Sequence, residues 1–127
     1  MSTTFWSKKA ADNFRLMRSR TFSAPATGEW WIFQLPRYSF VRGTWVYIST
    51  ALSGGSTLSI GFTGNGETAD SDAFMTTVAA DATSTGTKSS YAGKWFNSEG
   101  GAVTVTVSQG GTAAGVFVVF VEYSIIH

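Results

Sequence analysis

The chain has 127 residues, a formal net charge of +1 and only 13% charged residues, which suits one domain kept soluble by its 47 serine, threonine and glycine residues. With no cysteine and a single histidine, His127, at the last position, there is no disulfide framework, no thiolate chemistry, no His-based metal cluster and no firm frame for a serine-histidine triad. Val, Ile, Thr, Phe, Tyr and Trp total 51 residues while Leu appears four times, and branched or aromatic side chains favour pleated strands over helices, so the expected fold is all-β.

Residues 1–20 carry Lys8, Lys9, Arg15, Arg18 and Arg20 against Asp12, a net +4, which leaves the remaining chain at −3. Those charges also interrupt any apolar signal-peptide core, so the chain is expected to be made in a cytoplasm and not exported by the general route. Trp6, Ala10, Phe14 and Met17 fall near helical spacing and form one apolar stripe, blurred by Phe5, Asn13 and Leu16. We read residues 1–27 as a basic N-terminal arm and residues 28–127 as the body. The arm's expected docking residues are Phe5, Trp6, Lys8, Lys9, Phe14, Arg15, Met17, Arg18 and Arg20, because aromatic side chains are costly to leave in water. Five cations without a recognised binding module are a thin footprint for nucleic acid, which is not the expected partner.

Pro25 and Gly28 mark the boundary, and Glu29 to Leu35 reads as a strand ended by Pro36. Thr44 to Leu52 and Ser56 to Thr63 read as a hairpin around Ser53, Gly54 and Gly55, whose three-residue loop would set Val46 against Phe62 and Ile48 against Ile60. Between Gly64 and Ala92 periodicity weakens. Phe74 to Val78 reads as a short strand, Thr83 to Ser90 as a polar run, and Lys94 to Asn97 as another short strand. Ala102 to Ser108 and Ala114 to Tyr123 form the second expected hairpin, placing Val103, Val105 and Val107 opposite Val118, Val116 and Ala114 in the core. The longest apolar run, Val116 to Val121, is far short of the roughly 18 residues of a membrane span.

Both expected hairpins leave a second apolar face, Trp45 and Tyr47 in one and Phe117, Val119 and Val121 in the other. A strand apolar on both sides needs two covers, so these five residues are the expected oligomer interface. About seven or eight strands with glycine-bearing turns suit an antiparallel β-sandwich of jelly-roll or Greek-key type, preceded by an N-terminal extension.

Candidate chemistry is sparse. Asn65, Glu67, Asp70 and Asp72 lie close together, but their spacing fails the calcium-loop pattern, and one loop offers no opposed walls for an acid-base pair of carboxylates. Gly54-Gly55 and Gly64-Asn65-Gly66 are turn glycines, since no lysine-serine pair follows to hold a phosphate. No enzyme activity, cofactor or metal is therefore expected. Trp30, Trp31, Trp45, Tyr47, Tyr91 and Trp95 would serve as stacking platforms if the domain bound glycan.

Thr57-Leu58-Ser59-Ile60-Gly61, Asp70-Ser71-Asp72-Ala73-Phe74-Met75, Val103-Thr104-Val105-Thr106-Val107 and the final Gly115 to Tyr123 stretch together resemble small β-sandwich structural proteins of the head modules of tailed bacteriophages. The resemblance covers about residues 44 to 123 and leaves the basic arm outside it. It implies a capsid decoration or cement protein with a jelly-roll-like fold, often a homotrimer, that binds the outer shell, bridges capsomers of the major capsid protein and carries no active site. The implied location is the virion surface. The alternative is a carbohydrate- or receptor-binding β-sandwich of a head or tail fibre.

Overall fold

The computed structural model describes residues 14–81 and 85–125, so the expected docking residues Phe5, Trp6, Lys8 and Lys9 lie outside the described residues. The described chain forms strands β1 (Arg15–Arg18), β2 (Phe22–Ser23), β3 (Gly28–Leu35), β4 (Ser39–Thr50), β5 (Thr57–Gly64), β6 (Glu67–Ala79), β7 (Gly86–Ser90), β8 (Lys94–Trp95), β9 (Gly101–Ser108) and β10 (Val116–Ile125). One sheet runs β1-β10-β4-β7, with β2 also beside β10 and β8 beside β4; the second runs β3-β9-β5-β6. Every pairing is antiparallel. Taking β1 with β2, and β7 with β8, as interrupted strands leaves eight strand positions whose pairs nest inside one another: β1/β2 with β10, β3 with β9, β4 with β7/β8, β5 with β6. That nesting is the jelly roll, in agreement with the expected all-β sandwich.

Alternation along the strands builds the core between the sheets. In the second sheet Leu58, Ile60 and Phe62 stand beside Val107, Val105 and Val103. In the first, Val46 pairs with Val119 and Ile48 with Phe117. All ten of these side chains are buried. Phe22 stacks on Phe117 with ring centroids 4.9 Å apart, and Phe62, Phe74 and Phe96 form a second aromatic group.

Four expectations are corrected. Neither expected hairpin forms: β4 and β5 belong to opposite sheets, as do β9 and β10. Their connections cross from one sheet to the other, so Val46 and Phe62 join the same core from opposite sheets rather than as strand neighbours. The valines of β9 are core residues as expected, but their strand neighbours are β3 and β5.

Second, the faces of β10 are inverted. Phe117, Val119 and Val121 are buried in the core, which removes them from any oligomer interface, and Phe120 shares the outer face with Val118. Third, residues 14–27 are not a separate arm. β1 pairs with β10 through Arg15↔Tyr123 to Arg18↔Phe120, and β2 continues beside β10. Arg15 to Arg18 is strand, not helix, and Met17 opposite Val121 packs against the core, so it is not available for docking. Fourth, β6 runs through the expected acidic loop, from Glu67 to Ala79, with irregular register against β5, and the end of the polar run, Gly86–Ser90, forms β7.

One turn and one close approach shape the β5–β6 path. Asn65 and Gly66 both have positive φ, 63° and 67°, between paired Gly64 and Glu67, the two-residue turn whose twist suits a hairpin. Gly61 is tightly covered: a Cβ there would overlap the Asp70 carbonyl oxygen and the Ser71 backbone, where β6 passes against β5.

Candidate interaction surface

The outer face of the first sheet carries an apolar groove. Trp45 pairs with Phe120 and Tyr47 with Val118 across β4 and β10, while Leu16 of β1 and Thr87 of β7 extend the face to either edge. Leu16, Trp45, Tyr47, Thr87, Phe120 and Glu122 line a groove of about 490 Å³. Leu16 is 63% exposed and Tyr47 45% exposed, so apolar surface on this face stands open to water.

Local sequence explains the shape. Gly43 has no side chain to displace the Trp45 ring, since a Cβ there would lie 2.9 Å from it. The indole therefore lies across the strand and meets Tyr91 edge-on, with ring centroids 5.7 Å apart. One end of the groove is polar. Arg42 Nε donates to Glu122 Oε1 at 2.8 Å, and Nη2 approaches the same oxygen. The hydrogen bond to the Glu122 carboxylate, helped by its charge and opposed in part by desolvation, raises the Arg42 pKa above its ordinary value. The Phe14 ring centroid lies 4.0 Å from the Arg42 guanidinium.

The basic residues expected to dock separate into different roles. Arg18 is exposed and bonds Thr21 Oγ1. Arg15 is exposed on β1. Arg20 caps the core aromatics, 4.1 Å from the Phe22 ring centroid and 5.7 Å from that of Trp30. The structure thus brings together Phe14, Trp45 and Tyr47 from the expected set and adds Leu16, Val118, Phe120 and Glu122. Charge parity was the available signal for the last three: Glu122 on an otherwise apolar strand must face outward, and residues two and four positions earlier share its face.

The acidic segment is occupied by structural contacts. Asn65 Nδ2 donates to Glu67 and its Oδ1 accepts from the Asn97 backbone, while Lys94 Nζ pairs with Glu67 Oε1 at 2.9 Å. Asp72 N donates to Asp70 Oδ1, and a side-chain hydrogen bond between the two carboxyls, followed by their mutual charge, raises the Asp72 pKa. Among the described residues no group of three or more His, Asp or Glu side chains is placed to hold a metal ion.

The candidate stacking aromatics are dispersed. Trp30 donates its indole N–H to Ala26 O and packs on the core, Trp95 stacks with Tyr38, and Trp45 and Tyr91 pair with each other. Trp31, 66% exposed on β3, stands apart on the second sheet.

No family model and no curated protein matches the chain. Solved structures do. A chain of the acidic stable capsid of Helicobacter pylori bacteriophage KHP30 superposes with a TM-score of 0.68 at 19% identity, over 87% of this chain and 86% of that one. A chain of the cyanophage Pam1 capsid asymmetric unit gives a TM-score of 0.70 at 16% identity, over 90% of this chain and 86% of that one. At such identity the likeness is one of fold.

Proposed function

We propose that this chain is a non-enzymatic structural protein of a bacteriophage virion that binds the outer capsid shell as a decoration or cement protein. The observation that carries the reading is the fold likeness, over most of the chain, to two phage capsid chains, joined to a jelly roll whose first sheet leaves an apolar outer face uncovered. In this reading the groove around Trp45, Tyr47 and Phe120 is the subunit interface of a homotrimer. Basic residues of the N-terminal segment, Lys8, Lys9, Arg15 and Arg18, contact the major capsid protein. Bridging capsomers stabilises the shell by mass action, because the protein binds only the assembled state.

Co-sedimentation of the purified protein with undecorated shells tests this, at low and at high salt. Binding is expected, weakened but not abolished by salt, since apolar contacts are not screened. Lys8→Glu with Lys9→Glu should reduce binding at low salt most. Absence of the protein from the shell pellet at both salt levels would remove the decoration reading.

A further inference from the structure

On the opposite side of the sandwich, Trp31 borders a small groove of about 180 Å³ with Gln34, Thr63, Asn65 and Glu99. Neighbouring Trp30 and Phe33 turn to the core, and the strand bulges between Trp31 and Phe33, so the Trp31 indole is left facing solvent. Trp31 has neither a hydrogen-bond nor a ring partner among the described residues. A site of this volume admits one ring rather than a drug-sized ligand, whose pockets run about 300–1,000 Å³.

The polar wall is fixed and unsatisfied. Gln34 Nε2 donates to Gly101 O at 3.2 Å, which orients the amide and leaves Oε1 as a free acceptor among the described residues. Glu99 N is held at 2.9 Å by Asn97 Oδ1, and Asn97 Nδ2 is held at 3.0 Å by Asn65 O. The buried Asn65 therefore anchors this wall. The Glu99 carboxylate lies over Gly66, where a Cβ would collide with it, and it has no cationic partner among the described residues. One open aromatic face beside two acceptors and the Thr63 hydroxyl is the pairing a pyranose uses: its C–H face stacks on the ring while vicinal hydroxyls donate to the acceptors. Glu99 disfavours an anionic sugar. A cation would be better held by several enclosing rings, and Trp31 is the single ring of this groove.

We infer that Trp31, Gln34 and Glu99 form a saccharide subsite for a neutral hexopyranose on the face of the sandwich opposite the apolar groove. The site is independent of shell attachment. With a single ring stacked in an open groove, binding is weak, with a dissociation constant on the order of 1–10 mM.

The test is a titration of the ¹⁵N-labelled full chain with cellotriose, lactose and maltotriose, read at the indole N–H resonances, with 3′-sialyllactose as the anionic comparison. At least one neutral probe should shift the Trp31 indole saturably, and sialyllactose should bind more weakly. Trp31→Ala should abolish binding, Glu99→Gln should weaken it several-fold, and Trp95→Ala should leave it unchanged, with all variants keeping the wild-type β spectrum. Absence of a saturable shift with all three neutral sugars, or wild-type binding by Trp31→Ala, overturns the inference. Shell co-sedimentation of Trp31→Ala should match the wild type, so that a failed sugar titration leaves the decoration reading standing, and a failed sedimentation leaves this one.

Discussion

Ser56 and Gln109, 53 residues apart in the chain, are joined by a 3.1 Å hydrogen bond from Ser56 Oγ to Gln109 Oε1 that ties together the two crossings between the sheets. The same Gln109 oxygen accepts from Ser53 N and Ser53 Oγ, while its Nε2 donates to Pro25 O and Ala114 O. Ser56 and Ser53 in turn accept from Gly110 N and Gly111 N. One side chain thus fixes β4–β5, β9–β10 and the entry to β3 at one end of the sandwich.

Gln109→Ala should cost about 2–4 kcal/mol, because it strips partners from several part-buried backbone and hydroxyl groups at once. Urea unfolding should show a lower midpoint with an unchanged slope. A loss below about 0.5 kcal/mol would mean that water replaces the amide and the tie is incidental.

Gly61→Ala should be among the most damaging small substitutions in the chain, since its Cβ would overlap backbone atoms of Asp70 and Ser71 that cannot rotate away. Separating β6 from β5 would cost about 1–3 kcal/mol or more. Gly54→Ala, in the first crossing with open space around the new methyl, is the matched control and should be near neutral. Equal melting temperatures for the two variants would contradict the close approach.

What was legible in the chain and what was not divides along one physical line. Period-two alternation says which side chains share a face, so Val46 and Ile48, and Val103, Val105 and Val107, were placed in the core from sequence alone. It does not say whether the next apolar strand lies beside its predecessor or opposite it. Glycine-rich links at Ser53-Gly54-Gly55 and Gly110-Gly111 suit a hairpin as well as a crossing, and Gln109, the residue that decides for the crossing, acts through partners distant in sequence. Pairing β10 with β9 as a hairpin sets the wrong phase for β10, whereas the outward Glu122 carries the correct one. In the same way Trp31 was one of six exposed-aromatic candidates, and only the fold brings Gln34 and Glu99 to its side.

Residues 14–20 are held by more than the β1 ladder. Ser19 N donates to Val119 O at 2.8 Å, Val119 N donates to Ser19 Oγ at 2.9 Å, and Ser19 Oγ donates to Arg20 O. Ser19→Ala leaves the buried Val119 N–H unpaired and should cost about 1–2 kcal/mol, measured by thermal or urea unfolding. Unchanged stability would show that this first strand contributes little and would restore the picture of a detachable arm.

Asp72 gives a pH signature. Its pKa is raised in the folded state, chiefly by the hydrogen bond with Asp70 and then by Asp70's charge, so the folded chain holds that proton more tightly than the unfolded one. More bound protons in the folded state make stability fall as pH rises through the interval between the ordinary and the raised pKa. Asp72→Asn removes the repulsion and should raise the melting temperature at pH 7, with the gain vanishing near pH 3, where the Asp72 carboxyl itself is protonated. A gain of the same size at both pH values would indicate a cause other than charge.

The outer face of the first sheet yields the sharpest prediction about assembly. Leu16, Trp45, Tyr47 and Phe120 are partly exposed, and hiding each is worth roughly 1–3 kcal/mol. Association costs about 4–15 kcal/mol in lost freedom, so one such contact is marginal, whereas a closed ring gives every subunit two contacts and shares the ordering cost. The protein is therefore expected to sediment as a trimer at micromolar concentration. Trp45→Ser with Phe120→Ser should convert it to a monomer while the β spectrum and the unfolding slope persist, because neither side chain belongs to the buried core. Val119→Ser, on the same strand as Phe120 but facing inward, should instead destabilise the fold itself. A wild type that sediments as a monomer, or a double variant that remains trimeric, would assign the apolar face to something other than subunit contact.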